Sequence, residues 1–155
     1  MVLNDSASYF ARFPNFIPDA RLSLLVEFDR LATFQGWIEN GWKYGKERRL
    51  FLLAHYNEHL GGVEQSKYLR DWQALCTELG VKPMPESINK CKNTLSTKVH
   101  VNLIDLIESR RSGIRVRTFK SRGALHDHTI AKGKYFPLDV AKKNGLVKIL
   151  LREMN

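Results

Sequence analysis

The chain has 155 residues, of which 43% are hydrophobic, and its 25 basic and 16 acidic side chains give a formal net charge of +9. This composition excludes a wholly disordered chain, and the length suits one ordinary domain. No apolar stretch approaches the ~18 residues of a membrane span, so we expect a protein that enters no membrane. The start lacks a secretory signal pattern, and two cysteines cannot form a disulfide scaffold. We therefore expect an intracellular protein of the nucleus or cytoplasm.

The first 18 residues predict an extended N-terminal arm. Pro14 and Pro18 are incompatible with a regular helix across this segment. Aromatic residues accompany the prolines, namely Phe10, Phe13 and Phe16. We therefore expect the arm, residues 1–18, to pack on the core of a single helical domain formed by residues 19–155.

Apolar residues at a period near 3.6 predict a series of helices with short connections. The predicted helices cover residues 19–36, 46–60, 67–79, 87–98, 102–112 and 121–131, with two more beginning at about Pro137 and Leu146. Asp19 is the expected N-cap of the first helix, and Gly61-Gly62 should end the second, which follows a glycine-rich loop over residues 36–45. Gly80 is expected just after the third helix. The N-caps expected for the next three are Ser87, Asn102 and Ser121.

Residues 114–119 are different, because Ile114, Val116 and Thr118 alternate with the other side chains at a period of two. A lone segment of this kind has no strand partner, so it is expected as a hairpin arm or an ordered loop. The predicted fold class is therefore mostly α, a single compact multi-helical domain with at most one short extended or β segment near residues 114–119. No heptad run is long enough to demand a coiled coil, so a homo-oligomer is not indicated.

The positive charge is confined to the second half of the chain. Residues 1–80 hold 9 basic and 10 acidic side chains, whereas residues 81–155 hold 16 basic and 6 acidic ones, a net charge of +10. The densest part lies between Arg110 and Arg122 and contains no acid. This asymmetry favours a polyanion or an acidic protein surface as partner. The alternative is a solvated face that keeps the domain soluble.

The order of elements also favours a nucleic-acid partner. Three short helices, at residues 67–79, 87–98 and 102–112, precede the basic extended segment, an order typical of a helix-turn-helix with a basic arm. The connection at 80–86 is longer than the usual turn of that motif. The middle helix adds polar residues such as Lys98. The candidate nucleic-acid-binding residues, which would mostly contact phosphates, are Lys90, Lys92, Arg110, Arg111, Arg115, Arg117, Lys120 and Arg122.

Two histidine clusters are candidate chemical sites. His55 and His59 are four residues apart on one predicted helical face, but Glu58 does not follow the first histidine as in the zincin order, and no third ligand stands at a telling spacing. The run at residues 126–128, His-Asp-His, comes without a nucleophile motif. We therefore predict no catalytic residue, no metal and no cofactor.

Several stretches carry a resemblance to known proteins. They are Trp72–Gly80, Pro83–Ile88, Cys91-Lys92, Val99–Ile107 and Tyr135–Lys142, together with Glu27–Ala32 and Gly36-Trp37. In this pattern the chain resembles a group of small uncharacterised proteins from filamentous fungi. The resemblance spans most of the chain and implies a single domain in a eukaryotic, intracellular setting. It implies no activity, cofactor or site.

These observations lead to a functional hypothesis. The chain is expected to be a non-enzymatic binding protein that uses its basic C-terminal half, most plausibly on DNA or RNA. The alternative is a protein-interaction adaptor that recognises an acidic partner. The least supported alternative is an enzyme that uses the histidines and the aspartate at residues 126–128.

Overall fold

A computed structural model describes residues 5–137 and 145–151 of the chain. The described residues form eight helices: α1 (Ser6–Phe10), α2 (Leu24–Gln35), α3 (Trp42–Glu64), α4 (Leu69–Glu78), α5 (Ile88–Lys98), α6 (Leu103–Ser112), α7 (Arg122–Lys132) and α8 (Gly145–Leu151). The mostly α fold class is thereby confirmed. Within the same residues, no helix is both long and apolar enough to cross a membrane.

The contacts within the chain group into two compact units, Met1–His59 and Leu60–Asn155. The division expected from the sequence, an arm at residues 1–18 and one domain at 19–155, stays a prediction. Each unit has its own buried core, which is described separately below.

The first unit contains a short helix where the sequence predicted an extended arm. The side chain of Asp5 accepts a hydrogen bond from the backbone N–H of Ser8 over 2.7 Å and so caps α1. Pro14 comes four residues after the last residue of α1, so the prolines exclude a long helix but not this single turn. The ring of Tyr9 is fully buried, and its centre lies 5.6 Å from that of Phe51 on α3.

Helix α2 begins at Leu24 with Ser23 as its N-cap, so the predicted cap Asp19 is wrong. The carboxylate of Asp19 instead accepts hydrogen bonds from the backbone N–H and the guanidinium of Arg21. Asp19 lies five residues before the first residue of α2, so its carboxylate belongs to the turn at Arg21 and not to the helix end. Gly36 ends α2 as expected, with a left-handed φ of 73°.

Helix α3 is longer at both ends than the sequence predicted. It begins at Trp42, inside the expected loop at 36–45, and continues through Gly61-Gly62 to Glu64. Neither of these glycines adopts a positive φ, and the backbone N–H of Gln65 still donates to the carbonyl of Gly61. A glycine inside a helix costs about 1 kcal/mol relative to alanine, which a helix of this length tolerates.

The second unit is built around α4, α5 and α8. Helix α5 packs against both α4 and α8. Its core contains Trp72, Leu75 and Cys76 from α4, Cys91 and Leu95 from α5, and Leu146, Val147 and Leu150 from α8. The last apolar stretch of the described residues is therefore part of this core. The helix predicted to begin at about Pro137 falls on residues 138–144, which lie outside the described residues.

Four helix ends predicted in this unit are confirmed, one glycine end and three N-caps. Gly80 follows α4 with a φ of 77°. The backbone N–H of Val81 donates to the carbonyl of Cys76 over 2.9 Å, which completes a Schellman-type end. Three side chains cap helix N-termini by accepting a backbone hydrogen bond, and they are Ser87 for α5, Asn102 for α6 and Ser121 for α7.

Residues 114–120 form an extended connection between α6 and α7, here called the basic segment. Its N–H at Phe119 donates to the carbonyl of His100 over 2.8 Å, and these two residues form one isolated antiparallel bridge. Val116 is buried, whereas Ile114 is exposed. The single short extended segment expected at 114–119 is therefore present, and the bridge holds its end beside His100, two residues after the last residue of α5.

Candidate nucleic-acid interface

Two of the predicted contact residues are engaged with acidic side chains of the same unit. Arg110 forms an ion pair with Glu78 at 2.7 Å, and Arg111 forms one with Glu108 at 2.8 Å. Both guanidinium groups are largely covered, since their side chains are 25% and 13% exposed respectively. Their positive charges are therefore mostly compensated within the fold. These two arginines are poor candidates for direct phosphate contacts.

The lysines predicted on α5 have weaker internal contacts. The ammonium group of Lys90 lies 3.6 Å from the carboxylate of Glu86, and both side chains are well exposed. The ammonium group of Lys92 lies 5.1 Å from the centre of the Trp72 ring, within range of a cation–π contact. Exposed ion pairs of this kind contribute little free energy, so the two lysines remain accessible to a ligand.

The two arginines of the basic segment lie near an aromatic ring and a glycine that line a groove. The guanidinium of Arg117 lies over the ring of Phe119 at 4.7 Å. A terminal nitrogen of Arg115 lies 3.9 Å from the position that a Cβ atom would occupy at Gly80. Both arginines are exposed, as are Lys120 and Arg122, which precede and begin α7. The structure thus places Arg115 and Arg117 beside two residues, Gly80 and Phe119, that line one groove.

This groove, of about 240 Å³, lies where α4 and α5 end and the basic segment passes. Its polar lining combines cations, an imidazole and hydroxyl groups, contributed by Lys82, Lys98, His100, Thr94 and Thr118. Apolar atoms come from Leu79, Val99 and Phe119. None of the described residues that line the groove is acidic. A hollow with two ammonium groups, two hydroxyls and no carboxylate has the chemistry of an anion site.

Local structure explains why these side chains meet. Gly80 lets the chain leave α4 in a left-handed conformation and turn into the stretch that carries Lys82. Lys98 is the last residue of α5, and Thr94 lies one turn before it on the same face. The bridge between His100 and Phe119 then brings Thr118 to the same place.

A second hollow, of about 290 Å³, contains both signs of charge. Arg115 and Arg117 line it together with Asp105 and Glu108. His128 also lines it, and its Nε2 atom lies 2.7 Å from Asp105, whose other oxygen pairs with Lys134. These pairs link α6 to α7 and to the residues after α7. The carboxylates make this hollow less suited to an anion than the groove.

The cluster at residues 126–128 does not converge on one site. His126 and Asp127 are exposed, whereas His128 is half-buried against Asp105 and the ring of Phe119. Residues 126 and 128 point to different faces of α7, because positions two apart on a helix do not share a face. The histidine that has a carboxylate partner takes it from α6, not from its sequence neighbour.

The sequence indicated Lys98 as a polar residue for nucleic-acid contacts, but it did not indicate that the other polar residues of the groove share a site with it. Lys82, Thr94, His100 and Thr118 are separated by up to 36 positions in the chain. Their common feature, a place near a helix end or in a connection, is shared by many surface residues. Only the tertiary structure brings them together.

Comparisons of the chain with protein-family models, with curated proteins and with solved structures find no match.

Proposed function

We propose that the second unit binds nucleic acid through its sugar–phosphate backbone, with one phosphate seated in the groove. The observation that carries the proposal is the groove lining, in which Lys82, Lys98 and two threonine hydroxyls stand together without an acidic neighbour among the described lining residues. Phosphate oxygens accept hydrogen bonds from ammonium and hydroxyl groups, so every polar type in the groove suits them. The proposed role is non-enzymatic and intracellular, in the nucleus or the cytoplasm.

The neighbouring cations extend the proposed contact surface along the basic segment. Arg117 contacts Phe119 of the groove, Arg115 lies near Gly80, and Lys120 follows at the end of the segment. Successive phosphates of a nucleic-acid strand would meet these side chains one after another. The residues proposed for these contacts are Lys82, Lys98, Arg115, Arg117 and Lys120, with Lys90, Lys92 and Arg122 at the periphery.

Contacts of this type position a nucleic acid but do not read its sequence. Binding is therefore expected to be tight at low salt, similar for different sequences, and steeply weakened by salt because each neutralised phosphate releases counterions. An acidic protein surface is the alternative partner. It lacks the regular phosphate spacing, and a carboxylate would occupy the groove less completely than a phosphate.

The test is fluorescence anisotropy of the full chain with a labelled DNA duplex and a labelled single-stranded RNA, at salt concentrations from ~50 to ~200 mM. We expect saturable binding to at least one probe. In the double variant Lys82→Gln/Lys98→Gln, the slope of log affinity against log salt should fall by about one, because the two lysines hold a single phosphate and each lost phosphate contact lowers the slope by about one.

Lys132→Gln provides the matched control. Lys132 is an exposed lysine at the end of α7 and does not line the groove. Its variant should retain the slope of the unaltered protein. No binding to either probe at ~50 mM salt would overturn the proposal, and so would an equal loss of slope in the control. Retention of an acidic protein from nuclease-treated extract, with no binding to either probe, would favour the adaptor function.

A further inference from the structure

A second cluster of chemically active side chains lies in the other unit, on one turn of α3. The side chains of His55, Glu58 and His59 each offer one ligand atom, and these three atoms all lie within 4.8 Å of one another. The imidazole planes of the two histidines are parallel within 2°, with ring centres 6.1 Å apart. The spacing follows from the helix, since positions i, i+3 and i+4 share one face.

The geometry is close to that of a bound zinc ion. Two ligands at 2.0–2.1 Å from a tetrahedral zinc lie roughly 3.3 Å apart, so small rotations of three side chains would bring their atoms onto one ion. The carboxylate of Glu58 already lies 2.8 Å from Nε2 of His59. Two histidines and one glutamate are also a set that zinc enzymes use, with the fourth position left to water.

The neighbours of the cluster would hold its members in place. The hydroxyl of Ser6 donates to the Oε1 atom of Glu58 over 2.9 Å, which leaves the Oε2 atom beside His59. The ring of Phe51 contacts the His55 imidazole edge-on, with centres 4.7 Å apart. Hydrogen bonds that orient a carboxylate ligand and apolar packing around an imidazole both strengthen metal binding.

The exposure of the three residues leaves an entry path. His55 is buried, with 4% of its surface exposed, whereas the side chains of His59 and Glu58 are 19% and 33% exposed. An ion can therefore approach from the solvent side of Glu58 and rest against the buried imidazole. Water would complete its coordination on the exposed side.

We propose that His55, Glu58 and His59 form a binding site for one zinc ion. The order His-x-x-Glu-His differs from the zincin order, but both orders place two histidines one turn apart on one helix face, and zinc-binding helices of both kinds exist. The glutamate of the zincin helix is a general base, whereas Glu58 is proposed here as the third ligand. The proposal concerns metal binding alone and is independent of the nucleic-acid interface.

The test is calorimetric titration of the full, chelator-treated chain with ZnCl₂. We expect one equivalent of zinc to bind. His59→Gln and Glu58→Gln should each weaken the affinity by about tenfold or more, because even groups that only orient a ligand change it by that factor. Both side chains are partly exposed, so the variants should fold, which their far-UV circular dichroism would verify.

His126→Gln is the matched control, because it removes an exposed histidine from α7, outside the cluster. Its zinc affinity should equal that of the unaltered chain. Titration with Co²⁺ gives a second readout, since coordination by these ligands should produce visible absorption bands that His59→Gln abolishes. Absence of saturable zinc binding below ~100 μM, or equal weakening in His59→Gln and His126→Gln, would overturn the proposal.

Discussion

Arg110 and Glu78 form a two-point ion pair between the last turn of α6 and the last residue of α4. The Nε atom of Arg110 donates to Oε2 over 3.0 Å, and its Nη2 atom donates to Oε1 over 2.7 Å. This parallel geometry is the strongest that an arginine and a carboxylate adopt. The positive charge that begins the basic stretch of the sequence therefore stabilises the fold.

This relationship predicts that Arg110 affects stability more than binding. Arg110→Gln should lower the free energy of unfolding by roughly 0.5–1.5 kcal/mol, a range discounted for the partial exposure of the pair. Its salt slope for nucleic-acid binding should stay that of the unaltered protein. Arg115→Gln should leave the free energy of unfolding nearly unchanged and lower the salt slope by about one. Urea unfolding and fluorescence anisotropy measure the two quantities, and a lowered slope for Arg110→Gln would contradict the assignment.

A second ion pair predicts how acid affects the first unit. Glu47 is fully buried and receives both terminal nitrogens of Arg12, at 2.7 and 3.0 Å. Burial pushes the pKa of Glu47 upward, but the hydrogen bonds and charge of Arg12 outweigh it and hold that pKa below its ordinary value of 4.5. The group therefore stabilises the folded state fully above about pH 4.5, and this contribution is lost as the pH falls through the lowered value.

Glu47→Gln should accordingly cost roughly 2–3 kcal/mol at pH 7, because it leaves the half-buried Arg12 without its carboxylate. The difference from the unaltered protein should shrink as the pH falls below 4.5. Urea unfolding at pH 7, 4 and 3 gives the comparison. The control is Glu86→Gln, which removes an exposed ion pair and should change stability by no more than ~0.5 kcal/mol at any of these values. A Glu47→Gln penalty that is independent of pH would show that the carboxylate charge is not what stabilises this unit.

The burial of the two cysteines predicts that their thiols do not react in the folded protein. Cys76 and Cys91 are free thiols and fully buried. Burial, with a smaller effect of the neighbouring Cys91, raises the pKa of the Cys76 thiol to about 12. At pH 8 only about one Cys76 in ten thousand would then be the reactive thiolate. A thiol reagent such as Ellman's reagent should leave both cysteines unmodified in the folded protein and modify both in urea. Rapid modification without urea would mean that the second unit opens far more readily than this core implies.

The elements predicted correctly from the sequence are those that depend on a few adjacent residues. Ser87 caps α5 by accepting from Lys90, three positions later, and Gly80 ends α4 by a backbone conformation that glycine adopts easily. The same local reasoning failed at Asp19, because Arg21 lies even closer and holds the carboxylate. It also failed at Gly61-Gly62, where the flanking helix continues despite two weak helix formers.

The candidate sites were less accessible to such reasoning. Counting charges located the basic half, but it could not show that Glu78 and Glu108 neutralise Arg110 and Arg111 while Lys82 and Lys98 share a groove. Such pairings depend on how α4, α5 and α6 pack. The spacing of these residues in the sequence does not indicate which of them will meet. The two histidines of the α3 cluster are four residues apart in the sequence, but the order of Glu58 differs from the zincin order and no third ligand stands at a telling spacing, so the sequence did not predict a metal site there.

The continuity of α3 limits how this protein can be divided into fragments. The boundary between the two compact units falls between His59 and Leu60, inside a helix that runs from Trp42 to Glu64 without interruption. A fragment that stopped at His59 would leave the last four carbonyls of its helix without their backbone partners, and a truncated helix frays from such an end. Two of the three proposed zinc ligands stand in that final turn. Truncation at this boundary would therefore disorder the helical turn that carries Glu58 and His59. Substitutions in the intact chain avoid this loss and can separate the contributions of the two units.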